Sequence, residues 1–382
     1  MKVLQLIDKG IPIEDARVAA INGCVEIAVT GKHHMASGGY LNLAKCLELA
    51  LNDGKDRLTG RQLGPRTGDP AAFRSFEDVW RAFMLHVDRF IGLKVSYDNT
   101  ARRVYGTRYP VPFTSMLIED CIKDGKGFHD YGASYNTPLI CPVGIGTCAD
   151  SLTALKKMVF EDRKISMPEL VCALDSDFGD QRGAYIRQLL LNGVPKYGND
   201  DDGVDAIAEN LVSALCETLG KYRNDVGSKY APNIIPTTTH VYFGSLTAAT
   251  PDGRKSGAPL SEGVSPSQGR DTNGPTSVIK SVTKLPLEKC YGALLNQMFN
   301  PTVLSGEDGR KKFADLWRTY FKLGGYHAQF NIISADTLRE AQKNPEAYRN
   351  LIVRVAGYSD YFVRLSKDVQ EEIISRTVQD LQ

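Results

Sequence analysis

Strand-like and helix-like stretches alternate along this chain, and the alternation restricts its architecture more than any other feature. Residues 1–9 and 12–21 read as short helices, and residues 40–51 as a helix of high propensity that stops at Asp53-Gly54. Ser75 caps a long helix, with Asp78 three positions on as in a capping box. Phe76, Val79, Trp80, Phe83, Met84, Val87, Phe90 and Ile91 keep the helical period throughout. Further helices are predicted near 150–160, 168–174, 181–191, 204–222, 311–323 and 336–342. Strands are predicted at 111–117, across 233–243 as a pair or one bent strand, at 329–333 and at 352–355. No segment repeats at a fixed period, so the order predicts an α/β fold with mostly parallel strands. The stretch 254–276, rich in Gly, Pro and Ser, is the expected internal boundary, dividing 1–254 from 255–382.

The 382 residues suffice for two or three domains or for one large α/β barrel. Basic residues number 46 and acidic ones 45, with no basic stripe, which argues against nucleic acid or an anionic membrane as a partner. No apolar run reaches the roughly 18–20 residues that span a bilayer. Asp8 interrupts the N-terminal apolar stretch too early for a secretory signal. The 8 cysteines are scattered without C-x-x-C spacing, which argues against structural zinc and a disulfide framework and points to a reducing cytoplasm. Gly144-Ile145-Gly146-Thr147 lacks the third glycine of a dinucleotide fingerprint and the Gly-Lys of a P-loop, so it reads as a tight strand-to-helix turn. Asp200-Asp201-Asp202 reads as a solvated loop or helix cap, without the further ligands of a calcium loop. No metal site is expected. His33-His34 are adjacent and do not converge on one ion, and His240 and His327 read as core histidines.

Two loops carry chemistry. Leu351-Ile352-Val353 leads into Arg354-Val355-Ala356-Gly357-Tyr358, and a helix-like tail follows from Asp368, so a short strand delivers Gly357 to a loop tip. Glycine lacks a Cβ and takes backbone shapes closed to other residues. Loss of one Cα hydrogen leaves a planar radical shared with the flanking amide groups. The second loop is Gly23-Cys24-Val25-Glu26. A thiol S–H and a glycine Cα–H have comparable bond strengths, so a hydrogen atom moves between them at little cost. A thiyl radical takes hydrogen from an unactivated carbon, and this needs a neutral thiol in an apolar pocket rather than the thiolate of a nucleophilic cysteine. In an extended loop Cys24 and Glu26 face one side, placing a carboxyl group beside the thiol for proton transfer. Taken singly, each loop reads as ordinary structure: a turn glycine, and a buried Cys beside a surface Glu.

The run Arg354-Val355-Ala356-Gly357-Tyr358-Ser359-Asp360-Tyr361-Phe362, followed by Leu365, Gln370-Glu371-Glu372-Ile373-Ile374 and Arg376-Thr377, resembles the signature of the glycyl radical enzymes. Further similar segments are Asn199–Asp202, Pro236–Gly244, Ala249–Arg254, Asp271–Thr276 and Leu294–Gln297, so the resemblance covers essentially the whole chain. It implies that Gly357 stores a radical, Cys24 carries it to substrate and Glu26 is the acid/base. It also implies substrate contacts at Tyr40, in Gly39-Tyr40-Leu41-Asn42, and at Thr238. No bound cofactor is implied; a radical S-adenosylmethionine activase installs the radical under anaerobic conditions. Pyruvate formate-lyase carries two adjacent cysteines where this chain has Cys24-Val25. The Gly-Cys-Val-Glu form resembles the dehydratase branch, which eliminates or decarboxylates and includes lyases of glycerol, diols, choline and hydroxyproline and arylacetate decarboxylases. The implied reaction is therefore a lyase or dehydratase step on a small hydroxylated or amine substrate such as 4-hydroxyproline. An arylacetate decarboxylase or a formate acetyltransferase-like enzyme is the alternative. Where the hydroxyproline lyases read Gly-Lys-Glu-Ala-Tyr, this chain has Gly31-Lys32-His33-His34-Met35, which opens the substrate choice.

Family members are about twice as long, with a ten-stranded α/β barrel built of two five-stranded halves around the two loops. Only 23 residues precede Cys24 here, so the resemblance implies the C-terminal half of the barrel. Half a barrel leaves edge strands and an apolar face uncovered. The expectations are a homodimer or an N-terminal half-barrel partner. A split product, an inactive fragment and a non-enzymatic radical-bearing subunit are the further readings; the cysteine loop argues against the last.

Overall fold

The computed structural model describes residues 2–381. Helices α1 (Lys2–Asp8) and α2 (Ile13–Ala16) lead into an antiparallel hairpin, β1 (Ala19–Asn22) and β2 (Glu26–Val29). The helix predicted over 12–21 thus ends after one turn, because Ala19, Ala20 and Ile21 pair with Val29, Ala28 and Ile27. Strand β3 (His33–Asn42) precedes α3 (Leu43–Ala50). That helix starts later than its propensity suggests, since Tyr40, Leu41 and Asn42 are held in β pairing by Cys141, Pro142 and Val143. Asn42 then caps it, accepting from Lys45 N at 2.9 Å.

Helix α4 (Phe76–Arg108) begins with the expected Ser75/Asp78 capping box. The predicted strand at 111–117 is instead the short helix α5 (Pro112–Met116), with Pro112 in the first turn and Phe113 and Met116 exposed. Helix α6 (Glu119–Lys123), strand β4 (Tyr135–Val143) and helix α7 (Ile145–Ala154) follow, α7 running on as a π-type turn to Glu161. Gly144, at φ +93°, makes the strand-to-helix turn, and Thr147 N donates to Ser261 Oγ at 3.0 Å. Helices α8 (Met167–Asp175), α9 (Gln181–Asn192) and α10 (Asp202–Gly220) precede β5 (Ala231–Ile234). The strand predicted over 233–243 stops at Ile234. Thr237 turns the chain at φ +53°, and α11 (Thr239–Ser245) carries His240 into the interior.

The stretch 254–276 runs partly through the interior: Leu260 and Val264 are fully buried, and Val264 N donates to Leu294 O at 2.9 Å. Then come α12 (Pro275–Thr283), β6 (Gly292–Ala293), β7 (Leu295–Phe299), α13 (Gly306–Lys322), β8 (Ala328–Ile332) and α14 (Ala335–Lys343). The chain closes with β9 (Ile352–Arg354), β10 (Ser359–Tyr361), α15 (Lys367–Ser375) and β11 (Val378–Gln379).

Strands β3, β4, β5 and β6 pair in that order, all parallel. Leu294 alone separates β6 from β7, which pairs in parallel with β8 on one side and β11 on the other. Among the described residues, β3, β4, β5, the broken strand β6–β7, and β8 therefore form one curled parallel sheet, a half-barrel. Its outer face packs on α3, α4, α7 and α10 through Leu47, Phe83, Leu152 and Leu211. The other face carries Thr137, Cys141 and Asn233, and the β1–β2 hairpin lies over it. No helix among the described residues is long and apolar enough to cross a membrane.

Candidate active site

Strands β9 and β10 pair antiparallel with Arg354 opposite Ser359, so residues 355–358 form a tight loop closed by Val355 N donating to Tyr358 O at 2.9 Å. Gly357 has φ +89°, a left-handed backbone open to glycine and strained for other residues. Polar side chains hold this loop from behind. Asn331 of β8 accepts from Arg354 N at 2.7 Å and donates to Arg354 O at 2.8 Å. Val355 O accepts from Asn296 Nδ2 at 3.1 Å and from Arg376 Nη2 at 2.9 Å. Gly357 N donates to Gln329 Oε1 at 3.2 Å. Arg376 is anchored by Glu372 at 2.8 Å, and His240 Nε2 lies 3.4 Å from the same carboxylate. Burial opposes ionisation of Glu372, but Arg376, with His240 beside it, outweighs this and holds the carboxyl well below the usual range.

Cys24 sits at the tip of the β1–β2 hairpin, where Gly23 takes φ +63°. The two loops meet: a Cβ built on Gly357 would lie 2.5 Å from Cys24 Cβ and 2.6 Å from Cys24 Sγ. Val25, Ile235, Leu294 and Ala356 form a small apolar cluster against which Cys24 packs. Burial pushes the Cys24 thiol above its ordinary value and the Glu26 carboxylate adds to this, while Arg354 opposes it. The thiol therefore keeps its hydrogen, as hydrogen-atom transfer requires.

Glu26 does not simply project beside the thiol. Its Oε2 accepts from Cys24 N at 3.1 Å and Val25 N at 3.0 Å, and its Oε1 accepts from Asn233 Nδ2 at 2.7 Å. The carboxylate thus closes the turn that presents Cys24. Gly292 makes room for this clamp, since a Cβ there would meet Asn233 Oδ1 and Val25 Cγ2. Tyr40 is half-buried on β3, and its hydroxyl bonds to Thr237 Oγ1; Thr238, one residue on, immediately precedes α11 as its N-cap residue. His33 and His34 point to opposite sides of β3. His33 bonds to Thr137 Oγ1 at 2.8 Å on the inner face, and His34 lies 3.2 Å from an Arg102 nitrogen among the outer helices. Burial draws His33 down to about 4 and His34 to about 3, so both are neutral at pH 7.

Asn233, Asn296, Gln329, Asn331 and Thr237 were not identified as site residues from sequence. One signal was available for the strand amides: Leu295-Asn296-Gln297-Met298 and Ala328-Gln329-Phe330-Asn331 place amides inside otherwise apolar strands, and a buried amide must find a partner.

The half-barrel thus brings a cysteine hairpin and a glycine loop into contact, and comparison with known proteins identifies the family that has this arrangement. The pyruvate formate lyase-like family model matches residues 2–244 and the glycine radical model matches residues 260–363. The chain belongs to the pyruvate formate lyase-like family and carries that family's glycine radical domain. Trans-4-hydroxy-L-proline dehydratase of Clostridioides difficile is 44% identical over 377 residues, covering 99% of this chain and 48% of that protein. Its crystal structure with trans-4-hydroxy-L-proline bound superposes with a TM-score of 0.96. The glycerol-bound B12-independent glycerol dehydratase of Clostridium butyricum is 41% identical, covering 99% of this chain and 48% of that one, with a TM-score of 0.95. An isethionate sulfite-lyase of Bilophila wadsworthia is 38% identical over 384 residues, covering 98% of this chain and 46% of the relative. The chain thus spans about half the length of these relatives.

Proposed function

We propose that this chain is the radical-bearing half of a glycyl radical lyase of the dehydratase type, acting on a small hydroxylated or amine substrate such as 4-hydroxyproline. Residues 1–254 supply the cysteine loop and residues 255–382 the glycine loop. A radical S-adenosylmethionine activase removes one Cα hydrogen from Gly357. Cys24 then gives its S–H hydrogen to the glycyl radical, forming Cα–H and a thiyl. The thiyl takes a hydrogen atom from a substrate carbon, forming S–H and a substrate radical. The hydroxyl on the neighbouring carbon leaves as water: its C–O bond breaks as it gains a proton, and Glu26 takes a proton from the hydroxyl or amine on the radical carbon, so the step releases H2O and leaves the product radical. Cys24 returns a hydrogen to the product radical, and the thiyl recovers the radical position by taking hydrogen from Gly357. Tyr40 and Thr238 contact the substrate, and the working enzyme is a homodimer with a completed barrel.

The observation that carries this reading is the contact between Cys24 and Gly357. The Gly-Cys-Val-Glu loop supports the dehydratase branch. The relatives, which include dehydratases, a sulfite-lyase and an indoleacetate decarboxylase, leave a family of small substrates to be tried. The test is low-temperature EPR after anaerobic incubation with an activase, reductant and S-adenosylmethionine. A glycyl doublet is expected in the wild type and in Cys24→Ala and absent from Gly357→Ala. Turnover of hydroxyproline or a related alcohol or amine is expected only from the wild type with its barrel completed. Turnover by Cys24→Ala would refute the role given to that thiol.

A further inference from the structure

Strand β8 is unusual for a barrel strand. Its buried positions are Gln329 and Asn331, and both face the glycine hairpin. Neighbouring β7 contributes buried Asn296 on the same side. Asn331 makes a two-bond pair with the backbone of Arg354, imitating one rung of a β ladder. Asn296 takes the next carbonyl, Val355 O. Gln329 takes Gly357 N, and its Nε2 donates to Asn296 Oδ1, which ties the rungs together. The Gln329 oxygen also accepts from Arg354 Nε at 3.2 Å and Nη2 at 2.7 Å, so a guanidinium holds it in place. The hairpin β9–β10 therefore docks through side-chain amides where a strand neighbour would otherwise supply backbone groups.

We infer that Asn331, Asn296 and Gln329 form an amide ladder that fixes the register of Gly357 against Cys24, and that Gln329 is its decisive rung. Gln329 is a positioning residue: it accepts from the Gly357 N–H, whose nitrogen is one bond from the carbon that loses hydrogen. Rotation of the loop about Val355 would move the Cα–H away from Sγ, and hydrogen transfer falls steeply with such displacement. The apolar cluster on the thiol side leaves room for sliding; the amides, with fixed donor and acceptor directions, do not.

The first test does not depend on the proposed radical chemistry. In the unactivated chain labelled with 15N-glycine, the Gly357 amide should exchange with D2O about tenfold faster in Gln329→Leu than in the wild type, from loss of one buried hydrogen bond. Gln329→Glu keeps the acceptor oxygen for Gly357 N and Arg354 but loses the Nε2 donor to Asn296, so it should restore part of the protection. Equal exchange in all three proteins overturns the ladder. The second test rests on the proposed function. In D2O the Cys24 S–H becomes S–D, and transfer to and from Gly357 replaces the remaining Cα hydrogen, collapsing the EPR doublet to a singlet. That collapse should slow at least about tenfold in Gln329→Leu and recover in part in Gln329→Glu, which keeps the acceptor oxygen but not the donor to Asn296, since misplacement costs rate. A wild-type collapse rate in Gln329→Leu overturns the positioning role. A wild type without a doublet counts against the proposed radical chemistry, and the amide measurement then decides the ladder by itself.

Discussion

The two loops that meet at the centre are held in opposite ways. The cysteine loop is locally built: a hairpin whose turn is closed by its own Glu26, with one outside bond from Asn233. The glycine loop is held from outside, by Asn296 on β7, Gln329 and Asn331 on β8, and Arg376 just after α15. A thiol can be presented by a short sequence because its side chain does the reaching. A backbone carbon has no such arm, so the whole loop must be placed, and placing a backbone needs partners from elsewhere in the fold.

Substituting Gly357 itself is the largest way to break that contrast. Gly357→Ala puts a Cβ into Cys24 and forces alanine to φ +89°, at a cost of at least about 1–2 kcal/mol in backbone strain alone. We expect complete loss of the EPR signal and a lowered urea midpoint. Arg376→Met comes next. It leaves Glu372 buried without its cation and removes a bond to Val355 O, so stability should fall by about 3–5 kcal/mol in urea unfolding. The double variant Glu372→Gln/Arg376→Met should lose less, because no unpaired charge stays inside. Glu26→Ala tests the other side. It should cost about 1–3 kcal/mol and speed amide exchange at Cys24 and Val25 while leaving Gly357 protected. If Gly357 also loses protection, the loops are coupled and the contrast drawn here is wrong.

The smallest effect concerns pH at the chain's end. Burial raises Asp271 to about 6, although Thr377 and Gln379, which it holds, oppose the rise. Because its folded value lies above the unfolded one, its contribution is fully present below about pH 4 and is lost as pH rises through about 6. Protection of the amides in residues 377–381, relative to their intrinsic exchange at each pH, should therefore fall between those limits, and Asp271→Asn should remove that fall.

The helices with strong period or caps were legible: Ser75 and Asp78 make their capping box, and α13 and α14 lie where the apolar spacing puts them. The failures share one cause. Residues 111–117 look like a strand by composition but find no neighbouring strand, and residues 19–21 look helical but pair with 27–29. Residues 239–243 carry β-branched and aromatic side chains yet form helix α11, because Thr237 breaks the strand and His240 is drawn to Glu372. The Asp200–Asp202 run caps α10 through Asp201, as anticipated. Yet its charges meet Lys280 and Lys284 far along the chain, which no local pattern announces.

What the sequence determined by itself was the chemistry of its loops: a glycine at a strand end, a cysteine two residues before a glutamate, and the spacing of caps and apolar stripes around them. These are written in neighbouring residues, where backbone sterics and period act directly. Only the tertiary structure decided that Cys24 touches Gly357, that Glu26 turns back onto its own loop, and that four side chains, from β7, from β8 and from Arg376 just after α15, carry the glycine. Such partners depend on which strands lie side by side, and an amide buried in a strand states that it needs a hydrogen bond without stating to whom.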